Sequence, residues 1–180
     1  MERPATLVMI TGLPGPGKST IAGTAADHLD AAVLGWDWMM GGLTGFDQIQ
    51  DVLRGLDART YADIGWSVLF NLAAEQLRRG RSVVLDGVAL DRQIATAQAL
   101  VASEGGRLLV VLVRCPDEAT HRSRIEGRQR RIPGWHELTW ANVARSRADW
   151  QDPGTVDLEL DTTRPLDELA LELTSRLASR

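Results

Sequence analysis

The sequence contains one lysine and one cysteine among its 180 residues. Cys115, as the only cysteine, excludes an internal disulfide and any metal site built from several cysteines. We expect it to be a small buried apolar side chain at the end of a strand. Of the 20 basic residues, the other nineteen are arginines, so the single lysine, Lys18, stands out from the composition of the chain.

A strong net charge and a long apolar run are also missing. The 24 acidic and 20 basic residues give a net charge of −4, so no overall field attracts the protein to nucleic acid or to an anionic membrane. No apolar run approaches the length of a membrane span, and residues 1–4 show no signal-peptide pattern. We therefore expect a cytoplasmic protein that forms one domain over residues 1–180.

Lys18 lies in a segment with the spacing of a phosphate-binding loop, G-x-x-x-x-G-K-[ST]. The segment consists of Gly12, Leu13, Pro14, Gly15, Pro16, Gly17, Lys18, Ser19 and Thr20. A short apolar run over 6–10 precedes it, and apolar residues at helical spacing follow it over 21–29. A strand, a glycine-rich loop and a helix are the structural context that this motif requires.

The residue types of the loop predict a site for a nucleoside triphosphate with Mg²⁺. The glycines let successive backbone N–H groups turn towards phosphate oxygens, and the first turn of the helix adds its positive dipole end. The Lys18 ammonium reaches the β- and γ-phosphates as a point charge, which a planar guanidinium does poorly. Ser19 is placed to ligate Mg²⁺, and Thr20 to reach the α-phosphate side.

Strand-like and helix-like segments alternate along the chain, which predicts a three-layer α/β domain with a parallel sheet. Strands are expected at 5–11, 31–36, 82–86, 107–114 and 155–160. Runs such as 83–85 and 108–113 are continuously apolar, as expected for strands buried on both faces, whereas the fifth strand alternates apolar and acidic residues as an edge strand does. Helices are expected at 59–79 and 165–179, and a third, capped by Asp91, ends at Gly105-Gly106.

The loop, the five strands and a late cluster of arginines resemble the small-molecule kinases of the P-loop superfamily. The nearest similarity is to the AAA-like kinases, a group that includes chloramphenicol phosphotransferase-like enzymes and the kinase domains of polynucleotide 5′-kinases. The resemblance covers essentially the whole chain and implies a five-stranded sheet in the order 2-3-1-4-5. It also implies transfer of the γ-phosphate of ATP to a hydroxyl of a small molecule, with an antibiotic or a nucleoside as the expected acceptor.

Two aspartates match functional positions of these kinases. Asp37 follows the second strand, where the family places a carboxylate that accepts the proton of the acceptor hydroxyl. An N-cap or loop aspartate is the structural alternative. Asp86 ends the apolar run 83–85, the Walker B position near Mg²⁺, although a turn aspartate is also common there. Gly87 follows it, so the activating glutamate of motor-type ATPases is missing.

The run 121–131 contains five arginines in an otherwise acidic protein. In the related kinases this region is a mobile lid, here about 122–134, whose arginines close on the transferring phosphoryl group. Arg124 and Arg128 match the family's spacing and are expected on one helix face, with Gly127 and Pro133 marking the helix end and a flexible turn. A solvated basic face or a nucleic-acid patch is the alternative, and His121 is expected at the surface.

The acceptor site is less specified by the sequence. Trp36 and Trp38 flank Asp37, and Trp66 lies on a helix expected to cover the site. Tryptophans at these positions indicate a planar or apolar acceptor, but core packing explains them equally well. Arg92 is placed either to bind an acceptor anion or to lie at the surface.

Besides an adenylate-kinase-like enzyme, in which Arg92 would hold an acceptor phosphate, three competing functions can be compared with the sequence. Polynucleotide kinases of this group carry an arginine where this chain has Met40, so nucleic acid is a less favoured partner. A guanine-specific switch needs a second lysine, which the chain lacks. A non-catalytic ATP-binding protein is the third alternative.

Overall fold

The computed structural model describes residues 4–148 and 150–179. Within these residues the chain forms five strands and eight helices in the order β1 (Thr6–Thr11), α1 (Lys18–Leu29), β2 (Ala32–Gly35), α2 (Trp36–Thr44), α3 (Asp47–Arg54), α4 (Ala58–Arg78), β3 (Val83–Asp86), α5 (Asp91–Glu104), β4 (Arg107–Arg114), α6 (Glu118–Glu126), α7 (Trp140–Ala148), β5 (Leu158–Asp161) and α8 (Leu166–Ala178).

The five strands form one parallel sheet in the order β2-β3-β1-β4-β5. This confirms the predicted fold class and the predicted strand order. Asp86, the last residue of β3, pairs with Ile10 of β1 on one side and with Gly35 of β2 on the other. The carboxyl ends of these three strands therefore meet at one edge of the sheet, where ligands bind in open α/β folds.

Helices cover both faces of the sheet, which explains why the central strands are continuously apolar. In β1, Val8 and Ile10 contact a cluster that includes residues of α1 and α8. The intervening Leu7 and Met9 contact a second cluster that includes residues of α4 and α5. All four side chains are fully buried, so the strand alternates between two apolar layers rather than between core and water.

Two details of the predicted elements are wrong. Asp91 does not cap α5, because Leu90 is the N-cap and its amide donates to Gln93 Oε1. The Asp91 carboxylate accepts a hydrogen bond from the amide of Gly154 instead. The last strand begins at Leu158 rather than at 155, although its place at the edge of the sheet is confirmed.

Candidate active site

The segment Gly12–Thr20 connects β1 to α1, as the motif requires. Three of its glycines, Gly12, Gly15 and Gly17, have φ angles of 139°, 92° and 112°, a region that L side chains rarely adopt. A Cβ on Gly12 would collide with the carbonyl oxygen of Val113, and one on Gly15 would collide with Ile125. The loop therefore needs glycine both for its backbone turns and for its close packing against β4 and α6.

Lys18 begins α1 and is folded back over the loop. Its ammonium donates hydrogen bonds to the carbonyl oxygens of Gly12 (3.0 Å) and Leu13 (2.7 Å), and the residue is only 9% exposed. Burial lowers the pKa of Lys18 from its ordinary value, and the negative charges of Asp86 and Asp37 act in the opposite direction. The positive charge is thus held between the loop carbonyls and two carboxylates.

Ser19 and Asp86 form the pair of oxygen ligands expected for Mg²⁺. The Ser19 hydroxyl donates to Asp86 Oδ2 over 2.7 Å, which brings the start of α1 against the end of β3. Burial raises the pKa of Asp86, and Lys18 and the Ser19 hydrogen bond oppose this effect. A hydroxyl and a carboxylate beside a phosphate site fit a magnesium ion, which takes few protein ligands and completes its shell with phosphate oxygens and water.

Asp37 lies in the first turn of α2, directly after β2. Because Gly35 pairs with Asp86, the turn brings Asp37 to the same edge of the sheet as the phosphate-binding loop. Its carboxylate forms an ion pair with the guanidinium of Arg130. The sequence therefore placed Asp37 correctly but gave no indication of its partner, which lies 93 residues further along the chain.

The prediction that Arg124 and Arg128 share a helix face is wrong, because α6 ends at Glu126 and Gly127 is its C-cap. Arg128 lies in the irregular segment 127–139, here called the arginine loop, and lines the same cavity as Lys18, Asp37 and Asp86.

Arg124 lies on the other side of the phosphate-binding loop. Its guanidinium donates to the hydroxyl (2.8 Å) and carbonyl (2.7 Å) oxygens of Thr162 and to the carbonyl oxygen of Pro16 (3.3 Å). These contacts tie α6 both to the end of β5 and to the loop. Arg124 is thus separated from the cavity that contains Asp37.

His121 is buried, contrary to the prediction, with 1% of its surface exposed. Its Nε2 lies 2.7 Å from the carbonyl oxygen of Pro14, and its ring packs edge-on against Trp140. Ile125, one turn further along α6, packs against Gly15. The i, i+4 spacing of His121 and Ile125 was the available signal that this helix face rests on the phosphate-binding loop.

Two indole rings, those of Trp36 and Trp66, pack against glycine backbone and line the cavity that contains Lys18 and Asp37. A Cβ on Gly65 would collide with the ring of Trp36, and one on Gly87 would lie 2.8 Å from the ring of Trp66. The indole N–H groups donate to the carbonyl oxygens of Ala62 and Val88, over 3.3 Å each. Trp66 is buried in the core, so it serves packing as well as the cavity wall.

Trp38, the third tryptophan expected near the acceptor, is 60% exposed at the rim of that cavity. Arg92 also lines it and pairs with Asp63, with 3.0 Å between Arg92 Nε and Asp63 Oδ1.

The phosphate-binding loop lies between two cavities. The first, of about 760 Å³, contains Lys18, Ser19, Asp37, Asp86, Arg128 and Arg130 together with the tryptophans. The second, of about 960 Å³, is lined by residues that include Gly17, Thr20, Arg124, Thr162 and Arg164. The two share Gly15, Arg128 and Gln129, so a molecule bound along the loop can extend from one into the other.

Comparison with known proteins identifies the family of the chain. The sequence profile of a family described as an AAA domain matches residues 7–153, which is most of the chain. The chain belongs to this AAA domain family. A UPF0200 protein of Aeropyrum pernix is 33% identical over 135 residues, which cover 69% of this chain and 64% of that protein. The matched region thus spans slightly less than two thirds of this relative's length.

Solved structures share the fold of this AAA-domain chain at low identity. A sugar kinase from Janibacter sp. HTCC2649 superposes with a TM-score of 0.68 at 19% identity, covering 97% of this chain and 95% of that one. The Mycobacterium tuberculosis APS kinase CysC with AMPPNP and APS gives 0.63 at 21%, covering 99% and 100%. Chaetomium thermophilum Kti12 with ADP-AlF3 gives 0.71 at 15%, covering 95% and 96%. These similarities confirm the P-loop kinase-type fold predicted from the sequence.

Among the helices in the described part of the chain, none is both long and apolar enough to cross a membrane.

Proposed function

We propose that the protein is an ATP-dependent phosphotransferase that moves the γ-phosphate to a hydroxyl group of a small molecule. The observation that carries this proposal is the first cavity. It combines a phosphate-binding lysine, a Ser–Asp oxygen pair, a carboxylate on a separate helix and two loop arginines. The last two features are the groups that phosphoryl transfer uses, a carboxylate to accept the proton of the attacking hydroxyl and arginines to neutralise the transferred group.

In this assignment the nucleotide lies along the phosphate-binding loop, with its nucleoside in the second cavity and its γ-phosphate in the first. Lys18 and the loop amides bind the β- and γ-phosphates. Ser19 and Asp86 hold Mg²⁺, which when bound neutralises charge on the phosphate oxygens. The AMPPNP of the APS kinase neighbour supports a triphosphate ligand in this fold.

Asp37 is the proposed general base. It accepts the proton of the acceptor hydroxyl while that oxygen bonds to the γ-phosphorus and ADP leaves. The arginine loop acts as the lid, with Arg128 placed to neutralise charge on the transferred group. Arg124, predicted for the same role, is bonded to Thr162 and Pro16, so its position favours holding the nucleotide side of the site.

The acceptor side of the cavity favours a small hydroxylated molecule with an apolar or planar portion, because Trp36, Trp66 and Trp135 line it. A polynucleotide acceptor is less well supported. Met40, at the position where polynucleotide kinases of this group carry an arginine, is fully buried, so it offers no contact to a substrate phosphate.

The proposal is tested by calorimetry of ATP with Mg²⁺ and by ADP release with sugars, APS, nucleosides and hydroxylated antibiotics. We expect the wild type to bind ATP and at least one alcohol to stimulate ADP release. Lys18→Ala should abolish tight ATP binding but keep the fold, because most of its side-chain contacts are with the loop itself. His28→Ala, an exposed change on the same helix, is the matched control. Unchanged ATP affinity in Lys18→Ala would disprove the loop assignment.

A further inference from the structure

Arg130 is held unusually firmly for an arginine in an irregular segment. Its side chain is 9% exposed, its guanidinium is paired with Asp37, and its Nη2 donates to the carbonyl oxygen of His136 (3.0 Å). By contrast Arg122, earlier in the same cluster, has 58% of its side chain exposed and pairs only with Glu126 of its own helix among the described residues. The ion pair of Arg130 with Asp37 thus links the arginine loop to α2 through a side chain that is largely buried.

The backbone of the arginine loop is braced around Arg130. The carboxylate of Glu137 accepts hydrogen bonds from the amides of Arg130 (3.0 Å) and Arg131 (2.7 Å). These two backbone hydrogen bonds, that of Arg130 first, lower the pKa of Glu137 from its ordinary value. The carboxylate therefore stays ionised and keeps the turn closed at neutral pH.

The same loop is docked on α2, the helix that carries Asp37. The hydroxyl of Thr44 donates to the carbonyl oxygen of Gly134 over 2.6 Å. A Cβ on Gly134 would collide with the carbonyl oxygen of Gly41, and one on Gly41 would lie 2.6 Å from that of Pro133. Only glycines allow the two backbones to approach this closely, so the sequence is specifically suited to this closed arrangement.

The docking has a direct chemical consequence for the proposed base. The guanidinium of Arg130 occupies Oδ2 of Asp37, so this oxygen is already engaged in an ion pair and is not open to an acceptor hydroxyl or to water. Arg130 also lines the same cavity as Lys18, so it lies near the proposed γ-phosphate end of the site. Under the proposed function, water that enters the site competes with the acceptor hydroxyl, and an unpaired carboxylate there would activate it for attack on ATP.

We propose that Arg130 makes the reaction specific for the acceptor over water. Its guanidinium stays paired with Asp37 until an acceptor hydroxyl takes the place of the guanidinium at the carboxylate. This rests on the function proposed above. With acceptor bound, the hydroxyl proton passes to Asp37, the acceptor oxygen bonds to the γ-phosphorus, and the bond to ADP breaks. Without acceptor the ion pair persists, and water is not deprotonated. Loss of the guanidinium permits the same step with water, which yields ADP and inorganic phosphate.

The experiment measures ADP release from ATP and Mg²⁺ without any acceptor. Arg130→Met keeps the apolar stem but removes the charge, and we expect a rise of about ten-fold or more, at the lower end of general-base effects. Arg131→Met, a change in the exposed neighbour, is the matched control and should leave the rate at the wild-type level. The double variant Asp37→Asn with Arg130→Met should return to that level, because the released base is then missing.

A second variant leaves both charged residues in place. Gly41→Ala puts a methyl group against Pro133 and should displace the arginine loop, which again raises acceptor-independent ADP release. Gly42→Ala, where a Cβ meets nothing within 4 Å, is its control.

If Arg130→Met and Gly41→Ala both bind ATP but release ADP no faster than the wild type, the proposal for Arg130 is wrong and the proposed function is unaffected. A double variant as fast as Arg130→Met would overturn it too, because hydrolysis would not depend on Asp37. A wild type that fails to bind ATP would refute the proposed function and this inference together.

Discussion

The imidazole Nε2 of His121 lies 2.7 Å from the carbonyl oxygen of Pro14, so this residue, like Arg124, joins α6 to the phosphate-binding loop. Because a carbonyl oxygen only accepts, Nε2 carries the proton. Nδ1 is buried and has no hydrogen-bond partner among the residues that the structure describes. Protonation of this ring would therefore add a buried donor with nothing to receive it.

His121 should make the stability of the loop depend on pH. Burial lowers the pKa of His121 below its ordinary value of 6.5, with the hydrogen bond to Pro14 acting against the shift. On acidification the unfolded chain therefore takes up a proton on His121 before the folded chain does. The contribution of His121 to the free energy of unfolding is present above pH 6.5 and is lost as the pH falls towards the pKa in the folded state. We expect chemical denaturation to show a steeper loss between pH 7.5 and about 5.5 in the wild type than in His121→Phe.

His121→Gln separates the hydrogen bond from the titration, since the amide donates but does not titrate. At pH 7.5 it should bind ATP more tightly than His121→Phe, by about five-fold, the scale of one net hydrogen bond. If stability changed equally with pH in all three proteins, protonation of His121 would not be coupled to unfolding.

Arg124 and Arg128 should give different kinetic results because only Arg128 lines the cavity that contains Lys18, Asp37 and Asp86, whereas both line the second cavity. Arg128→Ala should lower turnover by about a thousand-fold with little change in ATP affinity, as expected for a side chain that acts on charge developed during transfer. Arg124→Ala removes bonds to Thr162 and Pro16 and should weaken ATP binding and lower the melting temperature. Arg122→Ala, in an exposed pair within α6, is the control for both.

Full turnover in Arg128→Ala would show that Arg128 does not act on the transferred group and that the arginine loop is not the lid. The same phenotype in both variants would contradict the different roles proposed for the two arginines.

Much of the fold was predictable because it depends on local patterns. The apolar runs of β1, β3 and β4 are long enough to be recognised as buried strands, and the loop before Lys18 has a defined spacing. The helices α2 and α3 were not predicted. The N-cap of α2 is a glycine, which has no side chain to accept a capping hydrogen bond, so the segment 36–54 lacks the usual start signal of a helix. The segment also includes Gly41-Gly42, and glycine is a poor helix former.

The site was less predictable where it depends on contacts between distant segments. Asp37 and Asp86 follow strands whose ends meet at one edge, so their positions followed from topology. The pairing of Arg130 with Asp37 depends instead on α6 ending at Gly127 and on the loop docking through Gly41 and Gly134. Five arginines within one run gave no means of selecting the one that reaches the carboxylate.

The two aspartates are expected to affect different kinetic parameters. Asp86→Asn should weaken ATP binding and its dependence on Mg²⁺ together, because it removes a charge from the proposed metal pair. Asp37→Asn should leave ATP affinity nearly unchanged, since the proposed role of the carboxylate is to accept the proton of the acceptor hydroxyl. If Asp37→Asn alone impaired magnesium binding, the two assignments would have to be exchanged.

The most direct test of the account is to measure transfer of labelled γ-phosphate from ATP to an alcohol that stimulates ADP release, in the wild type and in Asp37→Asn. The wild type should form phosphorylated acceptor in step with ADP. Asp37→Asn should lower the rate of transfer by about a hundred-fold or more, the usual scale for loss of a general base, while calorimetry shows unchanged ATP binding. Full transfer by Asp37→Asn, or ATP binding by the wild type without label transfer to any alcohol, would contradict the assignment of this protein as a phosphotransferase that uses Asp37.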